Sequence, residues 1–194
     1  MDIKIFFAII ATVIGLISYY PYARDLFSGK TTPHIYSWLI WTITQGTALV
    51  AIIYGGGIWG GLELAFGAIF NVVVLIFCLK HGTKNITKGD TVVLVIAILA
   101  IIIWWQLKVP LVSVLMITGI DFFGFIPSFR KSYREPWSET LSSWLLFSIA
   151  NVFSILALNQ YNLLTTTYLI SITLANMGVF FICLFRRPFV KKPD

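Results

Sequence analysis

The chain has 194 residues, 58% of them hydrophobic and only 11% charged, with a mean hydropathy of +0.89. A soluble domain carries about 25% charged residues. The composition therefore excludes an ordinary soluble domain, leaves little chain for one, and implies an integral membrane protein.

Charges and turn residues cut the chain into segments close to the about 20 residues that cross a bilayer. The first helix is predicted near Ile5–Tyr22. It lacks a small-x-small cleavage site and is read as retained. The second is expected near His34–Tyr54, stopping at Gly55-Gly56-Gly57, and the third near Trp59–Leu79 with Glu63 inside it. The fourth is expected near Thr91–Gln106 and the fifth near Val109–Phe129 with Asp121 inside it. Between Glu139 and Arg186 no charge occurs. As one helix that run would be about 69 Å long, too long for one crossing. The polar run Asn159-Gln160-Tyr161-Asn162 splits it into helices six and seven. The predicted class is all-α, with seven transmembrane helices.

Orientation follows from Lys and Arg in the loops. One side holds Arg24, Lys30, Lys80, Lys84, Lys88, Arg130, Lys131, Arg134, Arg186, Arg187, Lys191 and Lys192; the other holds Lys4 and Lys108. This predicts an external N-terminus and a cytoplasmic C-terminus in a plasma membrane, the bacterial inner membrane being the expected setting. The sequon Asn85-Ile86-Thr87 then falls in a cytosolic loop and is expected to be unused. The basic tail reads as a topology signal with headgroup contact rather than a nucleic-acid site. Cys78 and Cys183 sit in apolar runs and read as small packing residues.

The first third of the chain recurs in the last third. Pro21, Arg24, Ser37, Trp38, Leu39, Ile43 and Ala51 recur at one constant offset as Pro127, Arg130, Ser143, Trp144, Leu145, Ile149 and Ala157. Asn71, Val74, Cys78 and Leu79 recur as Asn176, Val179, Cys183 and Leu184, at an offset one residue shorter. The implied organisation is a first three-helix repeat at 1–82, a linker helix at 83–107, and a second three-helix repeat with a short basic tail at 108–194. The unrepeated fourth helix restores direction, so the copies are expected to be parallel.

This three-plus-one-plus-three plan, with a proline near the inner end of helices one and five, resembles the SWEET / PQ-loop (MtN3-like) transporter family. Parallel repeats about an axis along the membrane normal are an arrangement known for SWEET transporters. The stretch from Pro21 to Trp38 resembles the family's first signature loop, and Pro127 to Trp144 its second. Tyr22 and Ser128 stand where the family has Gln, and Tyr54 and Tyr161 are the aromatics nearest to its site tryptophans. The resemblance implies that Asn71 and Asn176 line a solute site. The run Trp38-Leu-Ile-Trp41 is similar to the Trp-x-x-Trp of Pnu-type vitamin carriers, which share the plan.

Gln45, Asn71, Asp121, Asn151 and Asn176 are predicted at one depth. Carboxamides both donate and accept hydrogen bonds, so the pairs Gln45/Asn151 and Asn71/Asn176 suit a hydroxylated or amide-bearing solute, or serve as interhelical glue. A central aspartate costs about 2.5–3.5 kcal/mol to insert. Asp121 is therefore expected to face the interior, as a solute ligand or a proton-coupling group, and its repeat partner is Gly15. Glu63 is a second candidate for coupling; it lines an outer vestibule or reaches the headgroups. Trp59, Trp104, Trp105 and Trp137 are read as belt aromatics. Trp38 and Trp144 either cap an inner gate or anchor in the belt. Pro21 and Pro127 either bend their helices as gate elements or end them.

The expected function is a carrier of a small polar solute, a sugar first, working by alternating access between two three-helix bundles. The alternatives are a proton-coupled carrier of an amino acid or nucleoside-like vitamin, and a non-transporting receptor on the same scaffold, as in the KDEL receptor. Neither enzyme motif nor cofactor nor metal cluster is expected. The expected partners are a solute and the bilayer, with a homo-oligomer left open.

Overall fold

The structure, a computed structural model, describes residues 2–81, 86–107 and 109–192. Lys84, Asn85 and Lys108, and the side chains of His81, Trp104 and Trp105, lie outside what it describes. Among the described residues it is all-helical, with seven α-helices: α1 (Ile3–Phe27), α2 (Ile35–Tyr54), α3 (Leu62–His81), α4 (Lys88–Leu107), α5 (Pro110–Arg134), α6 (Leu141–Ala157) and α7 (Leu163–Arg186). Among the described residues four stretches are long and apolar enough to cross a membrane: Ile3–Phe27, Ile35–Tyr54, Ile58–Lys80 and Leu163–Phe189. α6 is apolar but shorter, at 17 residues.

Local chemistry sets the helix ends. Asp2 caps α1 by accepting the Lys4 N–H at 2.9 Å. α1 closes before Gly29, whose φ of 73° favours a residue without Cβ. α2 stops at Gly55, followed by Gly56 at φ 83°. Pro110 opens α5, where its missing N–H costs nothing. Asn162 and Thr165 form a reciprocal capping box on α7. Pro21 and Pro127 lie inside α1 and α5, which both continue past them. The prolines therefore do not end their helices.

The helices close a ring through their contacts: α1 on α6, α6 on α7, α7 on α5, α5 on α2, α2 on α3 and α3 on α1. α4 packs on α5 and more lightly on α2. Side-chain polarity is distributed as in a bilayer rather than in water. Large apolar residues such as Ile9, Val13, Leu16, Ile69, Ile76 and Leu174 are exposed, whereas Ser18, Thr44, Gln45, Asn71, Asp121, Asn151 and Asn176 are buried. Two hydrogen bonds tie the halves of the ring together. Ser37 Oγ donates to the Gly124 carbonyl at 2.9 Å and Ser143 Oγ to the Ser18 carbonyl at 2.8 Å. Ser37/Ser143 and Ser18/Gly124 stand at the offset of the first repeat block, so the α2–α5 and α1–α6 contacts carry the same bond.

Candidate solute site

A cavity of about 60 Å³, room for a handful of waters, lies within the ring. It is lined by Tyr19, Trp38, Trp41, Gln45, Glu63, Phe70, Asn71, Phe125, Trp144, Phe147, Asn151, Ile172 and Asn176. On α2, positions 38, 41 and 45 share one face by helical spacing. Positions 144, 147 and 151 do the same on α6. Most of the lining falls into repeat-related pairs: Tyr19/Phe125, Trp38/Trp144, Trp41/Phe147, Gln45/Asn151 and Asn71/Asn176. The structure thus brings together all four carboxamides singled out in the sequence, with Glu63, Trp38 and Trp144.

The carboxamides are held in two ways. Asn71 Nδ2 donates to Gln45 Oε1 at 2.6 Å, and Gln45 Nε2 donates to the Leu64 carbonyl at 3.2 Å. Asn151 Nδ2 donates to the Phe147 carbonyl at 2.8 Å. A backbone carbonyl only accepts, so that bond identifies the amide nitrogen and with it the remaining terminal atom, Asn151 Oδ1. Oδ1 is buried and has no partner among the described residues. Rings pack around these groups. Tyr19 stacks on Phe70 with centroids 4.1 Å apart and tilts on Phe147 at 5.2 Å, and Trp41 meets Phe125 at 4.6 Å.

Glu63 is only 5% exposed and lines the cavity, so it does not reach the headgroups. Its carboxylate accepts from the Tyr19 hydroxyl at 3.4 Å. No ion pair to Glu63 occurs among the described residues. Asp121, 2% exposed, takes a different place. It is not among the lining residues. Its Oδ1 accepts from Thr44 Oγ1 and, at 3.2 Å, from the Tyr168 hydroxyl.

The two carboxylates are related through the repeat, although the repeat partner of Asp121 itself is Gly15. A Cβ built on Gly15 would lie 3.0 Å from both Cγ and Oε1 of Glu63. Glu63 from α3 therefore fills the space over Gly15 on α1. In the second half Tyr168, at the position related to Glu63, reaches over to Asp121 on α5. Each half has one buried carboxylate at its first-to-third helix contact, carried by α3 in one half and by α5 in the other.

At the α1–α2 and α5–α6 loop end the structure is cross-linked. Trp144 Nε1 donates to Glu139 Oε2 at 3.1 Å, and Lys131 pairs with Glu139 Oε1 at 2.8 Å. Thr31 and Thr140 hydroxyls bond at 2.8 Å, and Thr140 donates to Asp25 at 3.0 Å. Arg130 and His34 stand 3.1 and 3.5 Å from Asp90. Trp38 and Trp144 are buried among aromatic rings and so do not anchor in a belt. Trp137 donates to the Val190 carbonyl at 2.8 Å and lies under Arg187.

Tyr54 and Tyr161 do not join the cavity. Tyr54 is 73% exposed and Tyr161 is 56% exposed, the latter bonded to Lys4. Their offset from the cavity follows from their places at or beyond the helix ends, where no turn of helix carries them inward. Tyr19, Phe70, Phe125 and Phe147, together with the Thr44 and Tyr168 partners of Asp121, were not picked out in the sequence. The repetition of the 38/41/45 spacing at 144/147/151 was the signal that could have found Phe147. The cysteines are free and buried. No group of three His, Cys, Asp or Glu residues able to hold a metal occurs among the described residues. Compared with protein-family models, curated proteins and solved structures, the chain matches none.

Proposed function

We propose that the chain is a seven-helix membrane carrier for a small polar solute, of the SWEET / PQ-loop kind. Two parallel three-helix bundles, α1–α3 and α5–α7, alternate access to a shared site. One observation carries this reading: the central cavity is built mainly from repeat-related pairs of residues, including both carboxamide pairs. A site on the two-fold axis of a repeated scaffold is where a carrier holds its solute. The matched Ser37–Gly124 and Ser143–Ser18 bonds supply two equivalent pivots between bundles. Asn71 and Asn176 grip the solute, Gln45 and Asn151 flank it, and Trp38 and Trp144 close the site toward the cross-linked loop end. Pro21 and Pro127, each interrupting the backbone ladder of its helix, let that end bend. The bulk of the positive charge marks it as cytoplasmic, with the N-terminus outside.

The test is uptake by purified protein in liposomes, across labelled sugars, nucleosides, amino acids and amines. At least one class should enter faster than into empty liposomes, and Asn176→Ala should abolish the difference. Uptake of none under any gradient refutes the reading. A proton-coupled version draws support from Asp121, a buried carboxylate outside the cavity bonded by two hydroxyls. Under an imposed pH gradient, Asp121→Asn should then lose the accumulation that wild type shows; identical behaviour rules the coupling out.

A further inference from the structure

The charge of the cavity wall is one-sided. Among the described residues its ionisable lining consists of Glu63 and Tyr19, with no Lys, Arg or His. The wall also carries unpartnered polar atoms of both kinds among the described residues, the acceptor Asn151 Oδ1 and the donor Trp41 Nε1. Among the described residues the Glu63 carboxylate accepts a single long hydrogen bond, from the Tyr19 hydroxyl at 3.4 Å. Phe70 lies two helical turns from Glu63 on the same face of α3 and stacks on Tyr19, whose ring centroid is 5.2 Å from that of Phe147. A carboxylate buried at membrane depth needs a compensating charge or a proton. Aromatic faces beside it favour a cation, more so when water is excluded.

Building on the carrier reading, we infer that the cavity takes a small organic ammonium ion. Its N–H groups donate to Glu63 and Asn151 Oδ1, and its charge faces the rings of Tyr19, Phe70 and Phe147. A neutral polyol fits the same wall less well. It brings no charge and leaves the carboxylate uncompensated.

Trp38, Trp41 and Trp144 line the cavity, so their fluorescence reports occupancy. Detergent-purified protein is titrated with ethanolamine, with propanol (in which a methyl replaces the ammonium) and with glucose. Ethanolamine should bind at least about ten-fold more tightly than propanol. Glu63→Gln should erase that advantage. Tyr19→Phe, which removes the competing hydroxyl and keeps the ring, should retain it; circular dichroism confirms that each variant is folded. Propanol or glucose binding as tightly as ethanolamine overturns the inference, as does an advantage that survives Glu63→Gln. Binding of none of the three overturns it too. Liposome uptake of a neutral solute in that case leaves the carrier itself standing, whereas failure of all uptake removes the carrier reading independently.

Discussion

A single methyl group at Gly67 should dismantle the first half of the cavity wall. Gly67 is buried on α3, and a Cβ built there falls on the Gln45 amide nitrogen and 2.8 Å from the Tyr19 hydroxyl. Gln45 would have to swing away, giving up its 3.2 Å bond to the Leu64 carbonyl and the 2.6 Å bond it accepts from Asn71. Overpacking of this kind costs about 1–3 kcal/mol, and interhelical hydrogen bonds in membrane proteins are worth about 0.6 kcal/mol each. Gly67→Ala should therefore lose about 2–4 kcal/mol of unfolding free energy, read in a titration from mild detergent into SDS. Its solute affinity should fall along with it, since Asn71 loses its orienting partner. The cycle with Gln45→Ala isolates the cause. Gln45→Ala alone should destabilise, yet added to Gly67→Ala it should recover part of the lost stability, because the methyl then enters the space the amide leaves while its close approach to the Tyr19 hydroxyl remains. A Gly67→Ala protein as stable as wild type, or a double variant no better than Gly67→Ala, would refute the packing described for this wall.

Ser37→Ala and Ser143→Ala should each cost about 0.6 kcal/mol and add in combination, because the two bonds are separate and equivalent; unequal single effects in the same titration would break the equivalence of the two pivots. Gly15→Ala should cost about 1–3 kcal/mol through contact with Glu63 and be suppressed by Glu63→Ala, whereas a cost unchanged in the double variant would place the Glu63 carboxyl elsewhere. The head of α4 supplies a pH dependence. Burial pushes the Asp90 carboxyl up, but hydrogen bonds from the Thr87 backbone N–H and from Arg130 outweigh it and hold it below the usual carboxylate range. A carboxyl with a depressed folded value contributes stability that is present above its unfolded value, about 3.9, and is lost as pH falls through the lower folded value. Melting between neutral pH and about pH 3 should show that acid loss in wild type and a smaller one in Asp90→Asn; equal losses would count against the Thr87–Asp90–Arg130 cluster.

The repeat and the hydropathy pattern were legible because each depends on residues along one helix. Apolar length separated the helices, and two offsets differing by one residue paired Gln45 with Asn151 and Asn71 with Asn176 before any contact was known. That Trp38 and Trp41 share the face of Gln45 emerged with the cavity itself. The ends were less legible. Pro21 and Pro127 suggested stops as readily as bends, because an X-Pro step disfavours but does not forbid continuation when neighbouring helices support the backbone.

Which carboxylate borders the cavity is a different kind of question. Both Glu63 and Asp121 are buried charges in apolar helices, and periodicity treats them alike. Only the approach of α3 to α1 decided that Glu63 lies over Gly15 and borders the cavity, and only the approach of α7 and α2 to α5 decided that Asp121 is enclosed by Tyr168 and Thr44. The amino-acid sequence by itself determined the membrane class, the repeated frame and the paired carboxamides, since these follow from composition and from intervals along the chain. The placement of charge within that frame was decided by tertiary structure alone, because a side chain's partners come from helices distant in sequence, and their distances are set by packing rather than by spacing.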